Sequence, residues 1–322
     1  MKQLRIGVIG TGHMGINHVR IISDEKRFDL VGIYDRNLEQ ATLVADQYGT
    51  KAYDSMDELL DQVDAVVVAV PSSLHKEIGL KVAERGVHAM IEKPLAPTSE
   101  DANSLYEAFR KAGLKLQVGH IERFNAVVQE AKKILEGKEI FYIEAHRYSS
   151  FSGSGRIKDV TVIEDLMIHD IDIVCDFLEP ATVVDVRGNG ERIRSDSTDF
   201  ATCMIDFSTN AHAVINASRV SQGKERTIEI HTEDSVVFAD LLNKTLTVTK
   251  STELLVDSGQ SGAYKQDAIV QKIFVPIIEP LRAELQSFYD AVMNGEGILV
   301  DGLIAMRAIE ICEKTLERAT YD

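Results

Sequence analysis

The residues best suited to proton chemistry lie in two short stretches. Between 160 and 178, Asp165, His169 and Asp172 follow at i, i+4 and i+7, and Asp176 continues the stripe, so all four share one face of a helix. A carboxylate one turn from an imidazole can orient the ring and raise its basicity, which suits a general base near neutral pH. The same spacing describes a solvated acidic stripe. It also offers two kinds of metal ligand, although no third ligand cluster follows. The second stretch, Glu92-Lys93-Pro94, closes the apolar run 87–91. An ammonium at the end of a buried strand can bind a substrate oxygen and stabilise charge developing on it. A lysine in a solvated loop would look no different.

A third stretch supplies a place for a redox cofactor. Gly10, Gly12 and Gly15 form GTGHMG, with Thr11, His13 and Met14 between them, directly after the apolar run 4–9. The first glycine permits a tight turn, the second lets backbone approach a pyrophosphate, and the third lets helix and strand pack closely. The helix that starts here points free N–H groups and its positive dipole end at the phosphates. Asp35 ends the next strand, 20 residues after Gly15, where an acid accepts hydrogen bonds from the adenosine ribose hydroxyls. An acid there repels a 2′-phosphate and favours NAD. Its neighbour Arg36 could flank that phosphate, so NADP is not excluded. Val70-Pro71-Ser72-Ser73-Leu74-His75 follows the run 65–70 and so falls at a strand's carboxyl end, where open α/β sheets bind ligands.

The elements that must position these residues are legible as pattern. Apolar runs at 4–9, 30–34, 65–70, 87–91 and 116–118 alternate with amphipathic stretches at 56–62, 76–85 and 100–111. That alternation predicts βαβ units and a doubly wound parallel sheet covered on both faces. After about residue 137 the pattern changes. A strand at 139–146, a Ser/Gly-rich loop at 149–155 and one long helix over 160–178 precede strand-like runs at 182–187, 200–207, 212–217 and 227–231. Shorter runs at 236–239 and 245–248 extend the set, and no helix separates them, which predicts an antiparallel sheet. Residues 250–279 read as a weakly patterned connection, and two helices at 280–293 and 302–318 close the chain. The expected division is a dinucleotide-binding Rossmann domain at 1–122 and a substrate-binding and oligomerisation domain at 123–322.

Composition excludes several classes. The 322 residues include 35 Lys plus Arg and 51 Asp plus Glu, a net charge of −16, which argues against nucleic-acid or anionic-membrane partners. Cys175, Cys203 and Cys312 are far apart, so neither a disulfide framework nor a zinc site is expected. No apolar run reaches the roughly 18 residues that span a bilayer, nor does the N-terminus read as a signal peptide, so the expected compartment is the cytoplasm.

Together the motifs resemble the glucose–fructose oxidoreductase/inositol dehydrogenase (Gfo/Idh/MocA) family over essentially the whole chain. The carriers are GTGHMG at 10–15, Asp35, VPSSLH at 70–75, EKP at 92–94, VGHIERFN at 118–125, DLMIHDID at 165–172 and EPLRAEL…LVDG at 279–302. The resemblance implies a Rossmann domain followed by an α/β domain with a large, mostly antiparallel open sheet, through which such chains form homodimers or homotetramers. It implies hydride transfer between a sugar or polyol carbon and NAD(P), with His169 taking the hydroxyl proton, Asp165 orienting it and Lys93 binding the oxygen. By motif it places Gly10, Thr11, Gly12, His13, Met14, Gly15, Asp35, Arg36, Pro71, Ser72, His75, Glu92 and Lys93 at the cofactor. Pro94 is expected in a cis bond. Where many relatives have Thr-Pro-Asn, this chain has Val70-Pro71-Ser72, and serine still offers a hydrogen bond.

VGHIERFN and the stretch 146–165 are most similar to UDP-N-acetylglucosamine 3-dehydrogenases. A nucleotide sugar carries a pyrophosphate that needs cations, for which Arg123, Arg147, Arg156 and Lys158 are candidates, with Lys93 and Asp172 also at the substrate. The competing expectations are a dehydrogenase of a free polyol, inositol or simple sugar, and a non-catalytic NAD-sensing protein.

Overall fold

The computed structural model describes residues 2–151, 160–251, 255–256, 264–265 and 268–318. The chain forms two compact units, Met1–Phe124 with Glu279–Glu310, and Asn125–Ile278 with Ile311–Asp322.

In the first unit, β1 (Leu4–Ile9), β2 (Phe28–Tyr34), β3 (Ala65–Val68), β4 (His88–Glu92) and β5 (Leu116–Gly119) form a parallel sheet in the order β2-β1-β3-β4-β5. Helices α1 (His13–Asp24), α2 (Leu38–Tyr48), α3 (Met56–Leu60), α4 (His75–Glu84) and α5 (Ser99–Ala112) lie between the strands in sequence. All four residues of β3, Ala-Val-Val-Val, are buried, as a sheet covered on both faces requires. The chain reverses direction across the sheet between β1 and β3, so their carboxyl ends open a crevice at the switch point.

In the second unit, α6 (Ala126–Leu135) precedes β6 (Ile140–Ser150). A turn of π-helix (Ile163–Met167) runs into α7 (Ile168–Phe177). Then follow β7 (Val183–Glu191), β8 (Phe200–Phe207), β9 (His212–Ser221), β10 (Glu225–Thr232), β11 (Val236–Asp240) and β12 (Thr245–Ser251). β13 (Leu255–Val256) pairs only with β14 (Tyr264–Lys265), and β15 (Ala268–Ile273) returns to the large sheet. The order of that sheet is β15-β12-β11-β10-β6-β9-β8-β7, antiparallel at every pairing except β6 with β9. Residues alternate strictly in β8: Ala201, Cys203, Ile205 and Phe207 are buried, while Met204 is exposed. One face is therefore covered, by α6 and α7 and, over β7 and β8, by the segment around Thr315.

Two helices end the chain, α8 (Pro280–Met293) and α9 (Gly302–Arg318). On α8, Leu281, Leu285, Phe288 and Tyr289 join the core made by Leu4, Ile6, Val8, Val19 and Ile22. Each fully buried Leu or Phe contributes about 2 kcal/mol. This packing returns Glu279–Glu310 to the first unit and corrects the expected contiguous domain 123–322. Two further expectations change. Residues 250–279 are not merely a connection, because β15 lies within them, and a helix precedes β6 where none was expected. Among the described residues no helix is long and apolar enough to cross a membrane.

Candidate active site

The glycine turn is built as its spacing requires. Gly10 has φ +96°, and a Cβ there would come 2.6 Å from the Ala69 carbonyl oxygen. A Cβ on Gly15 would lie 1.9 Å from the Gly10 carbonyl oxygen, whereas one on Gly12 would meet nothing within 4 Å. The first and third glycines thus let backbone approach backbone, and the second leaves a space that any side chain would fill. Helix α1 starts at the next residue with Gly12 as its cap, no side-chain cap bond and no acidic residue in its first turn. Its N–H groups are left for an anion.

A cleft of about 640 Å³ opens at this turn, lined by Gly10, Gly12, Tyr34, Asp35, Arg36, Met56, Val70, Pro71 and Leu74 among others. These residues fit a dinucleotide: an open backbone cradle for phosphate, a carboxylate at the end of β2 and apolar walls. Asp35 is already engaged. One oxygen accepts the Thr11 N–H at 2.6 Å and the Thr11 hydroxyl at 2.9 Å, and the other accepts the Asn37 N–H at 2.8 Å. A carboxylate has about four acceptor sites, so capacity for a ribose hydroxyl remains. Thr11 is different from its expected role. It is buried and both its donors go to Asp35, so it braces the turn. His13 is exposed and Met14 half-buried at the start of α1, and Ser72 opens a short 3-10 turn beyond Pro71.

His75 also departs from expectation. It is 1% exposed, with Nδ1 2.8 Å from the Pro94 carbonyl oxygen and Nε2 3.0 Å from that of Val70. Burial holds its pKa below the usual value against the pull of those two carbonyls. The ring is thus occupied by backbone rather than presented to a cofactor. Lys93 follows β4 directly, half-buried, and its bond to Pro94 is cis. Glu92 is buried, one oxygen 2.8 Å from His18 Nε2 and the other accepting the Lys93 N–H at 3.3 Å. Burial alone would raise its pKa. The His18 hydrogen bond, with the charge of Lys93, overrides this and holds the carboxyl below the usual range, as an anion.

In the second unit, the helix that carries the Asp/His pattern begins later than expected. Thr161 and Glu164 cap each other reciprocally: the Thr161 N–H and hydroxyl donate to the Glu164 carboxylate at 3.0 and 2.7 Å, and Glu164 N–H donates to Thr161 Oγ1 at 3.3 Å. The first turn is π-helical, so Asp165 lies on a wider turn than the uniform 3.6-residue period assumed, and His169 lies on the α-helix that follows. Such turns recur at functional sites. Asp165 is exposed and His169 half-buried, whereas Asp170, Asp172 and Asp176 are buried. The stripe is therefore not a solvated face. Asp170 holds Arg147 in a two-pronged pair at 2.7 and 2.8 Å, and Asp176 accepts from Lys132 at 2.5 Å. Upstream, Arg219 donates to the Val160 carbonyl at 2.7 Å and to Asp199 at 2.8 Å. Asp199 also accepts the N–H groups of Ile193, Arg194 and Ser195, and these bonds hold its carboxyl far below the usual range against the raising effect of burial.

The structure thus gathers the expected glycines, Asp35, Arg36 and Pro71 around one cleft in the first unit, and Asp165 and His169 on one helix in the second. Of the proposed pyrophosphate cations, Arg147 is neutralised by Asp170, and Arg123 is 2% exposed in a 3-10 turn rather than a surface charge. Arg156, Lys158 and most of the loop 149–155 lie outside the described residues. His18 and the Asp199–Arg219 pair went unnoticed in the sequence. The Thr161-x-x-Glu164 box was a legible start signal that marks the true helix boundary.

Residues 4–120 match an oxidoreductase family with an NAD-binding Rossmann fold, and residues 128–237 match the C-terminal domain of GFO/IDH/MocA proteins. The chain belongs to the GFO/IDH/MocA family. Over 309 residues it is 32% identical to the UDP-N-acetylglucosamine 3-dehydrogenase of Acidithiobacillus ferrooxidans, covering 96% of this chain and 95% of that one. A solved structure of that enzyme superposes with a TM-score of 0.90 at 30% identity, over 99% of this chain and 98% of the other. The scyllo-inositol 2-dehydrogenase (NAD(+)) of Bacillus subtilis is 27% identical over 96% of this chain and 92% of its own. As a GFO/IDH/MocA member the chain is an oxidoreductase with a parallel Rossmann sheet and a second, mostly antiparallel sheet.

Proposed function

We propose that this GFO/IDH/MocA member is an NAD-dependent dehydrogenase of a sugar hydroxyl, acting on a nucleotide sugar of the UDP-N-acetylglucosamine type. The observation that carries the reading is the near-full-length similarity to an enzyme of that name, at 32% identity. Lys93 donates a hydrogen bond to the reacting oxygen and stabilises the negative charge that grows on it. His169 accepts the hydroxyl proton at a ring nitrogen, and Asp165 orients the ring and favours its protonated form. The nicotinamide, when bound, supplies the hydride acceptor. Gly12 and the start of α1 hold the pyrophosphate, and Asp35 holds the ribose hydroxyls.

The test is NADH formation, followed by absorbance, across UDP-sugars, inositols and simple sugars. Lys93→Ala and His169→Ala are each expected to lower kcat by about 10²-fold or more while leaving NADH affinity unchanged. Normal turnover in both variants would sink the assignment. Asp35→Ala is expected to weaken NADH about tenfold and NADPH less, since one charged hydrogen-bond acceptor is lost. Equal losses for both cofactors would show that Asp35 serves only to brace Thr11.

A second reading, a free polyol or inositol as substrate, is favoured by one observation. Arg147, counted as a pyrophosphate cation, is committed to Asp170 in the interior. Turnover of an inositol with no response to UDP-sugars would establish that alternative.

A further inference from the structure

Two buried histidines flank the turn that carries Lys93. His18 is 0% exposed on α1, and its Nε2 meets Glu92, the residue before Lys93, at 2.8 Å. Glu92 passes this on through its second oxygen, which accepts the Lys93 N–H at 3.3 Å. Room for the carboxylate comes from Gly119, paired with Glu92 across β4 and β5, where a Cβ would lie 3.0 Å from Glu92 Oε2. His75, at the start of α4, meets Pro94, the residue after Lys93, at 2.8 Å, and Val70, two residues beyond β3, at 3.0 Å. No side chain from the sequence motifs explains these contacts as cofactor binding, since both rings are enclosed. His75 links the Lys93 turn to Val70, which lines the cleft, and His18 links it to α1, the helix capped by the cleft residue Gly12.

We propose that His18 and His75 are positioning residues that fix the backbone on either side of Lys93 and so hold its ammonium in register with the cofactor cleft. The proposal rests on the reading that Lys93 binds the reacting oxygen. A side chain on a flexible four-carbon stem is placed only as well as the backbone beneath it, and misplacement by about 1 Å can cost about 10²-fold in rate. The ring of His75 has a choice between two carbonyls. A neutral imidazole carries one N–H, so it donates to one of them, and the shorter contact is to Pro94.

Amide variants separate positioning from mere packing. An Asn amide reaches about where Nδ1 lies, and a Gln amide about where Nε2 lies. His75→Asn keeps the link to Pro94 and is expected to retain about tenfold more kcat than His75→Gln or His75→Phe, with NADH affinity alike in all three. At His18 the contact is through Nε2, so His18→Gln is expected to exceed His18→Asn by a similar factor. Adding His75→Phe to Lys93→Ala is expected to cost no more than Lys93→Ala alone, because both act through one group. A readout that needs no substrate is the ¹³C signal of reductively methylated Lys93, assigned by its loss in Lys93→Ala. It is expected to shift in His75→Gln and His18→Asn, and to stay in place in His75→Asn and His18→Gln. An unmoved signal together with equal kcat in folded Asn and Gln variants would overturn the proposal. Full turnover in Lys93→Ala would instead overturn the role of Lys93 itself, so the two failures are distinguishable.

Discussion

Glu284 shows how a single side chain can cost stability where the chemistry is positioned. It is 0% exposed on α8, and neither carboxylate oxygen has a hydrogen-bond partner among the described residues. Burial, reinforced by the negative charge of Glu92, raises its pKa well above the usual 4.5. The folded state therefore favours the protonated acid. Its contribution to stability is fully present below about pH 4.5 and is lost as pH rises through the folded value. Glu284→Gln keeps the shape and has no proton to lose. The melting-temperature advantage of the variant over the parent is thus expected to widen as pH rises from about 5 into the alkaline range. A difference that stays flat across that range would show that Glu284 is not the group titrating. The sequence held a signal, since Glu284 falls within the apolar stripe Leu281, Leu285 and Phe288 at helical spacing. The glycines and Asp35 were more legible because their roles follow from local backbone geometry. The partner of His18 lies 74 residues away, and no local pattern encodes that pairing.

At the scale of elements, the same contrast between local and distant information decides what was readable. Strand β1 was legible to the residue, and β3 and β4 nearly so, because buried parallel strands are continuous apolar runs bounded by turn residues. Strand β15 was not, because Ala268, Ile269, Val270, Gln271 and Lys272 are all exposed on an edge and so carry no inside–outside alternation. The π turn before α7 was hidden for another reason: its residues are ordinary helix formers, and only their hydrogen bonds reveal the wider turn. The glycine turn supports a prediction of its own. Gly12→Ala adds a methyl that meets nothing, so the fold is expected to keep its melting temperature while NADH affinity falls about tenfold or more. Gly15→Ala drives a Cβ to 1.9 Å from a carbonyl oxygen, so α1 must move off β1 and the melting temperature is expected to fall as well. Calorimetry and NADH fluorescence separate the two. A stable Gly12→Ala protein with parental NADH affinity would refute the cradle.

For the molecule as a whole, the large sheet of the second unit poses the remaining question. Its inner face is closed by α6, α7 and the end of α9, with Arg147 on β6 reaching inward to Asp170 on α7. The alternation that buries Ile143, Ala145 and Arg147 turns Tyr142, Glu144, His146 and Tyr148 outward. Neighbouring strands add Val214, Met204 and Phe238 to the same outer face, with Met204 41% and Phe238 38% exposed. An antiparallel sheet left in water usually shows mostly charged and hydroxyl residues on its open side, whereas aromatic and Met side chains are enriched where two proteins meet. A stable pair of chains buries roughly 800 Å² per partner, and an open sheet face is a surface on which a second copy could do so. The homodimer or homotetramer that the family resemblance implies would therefore use this face, and the face can be tested. Met204→Lys combined with Phe238→Lys puts two ammonium groups into that contact, each costing several kcal/mol to desolvate. Light scattering is expected to report the mass of one chain for the double variant and a multiple of it for the parent. NADH affinity is expected to be unchanged, since the cleft belongs to the other unit. If the variant keeps the parent's mass, association uses another surface, and the exposed edge at Ile269 and Val270 becomes the next to mutate.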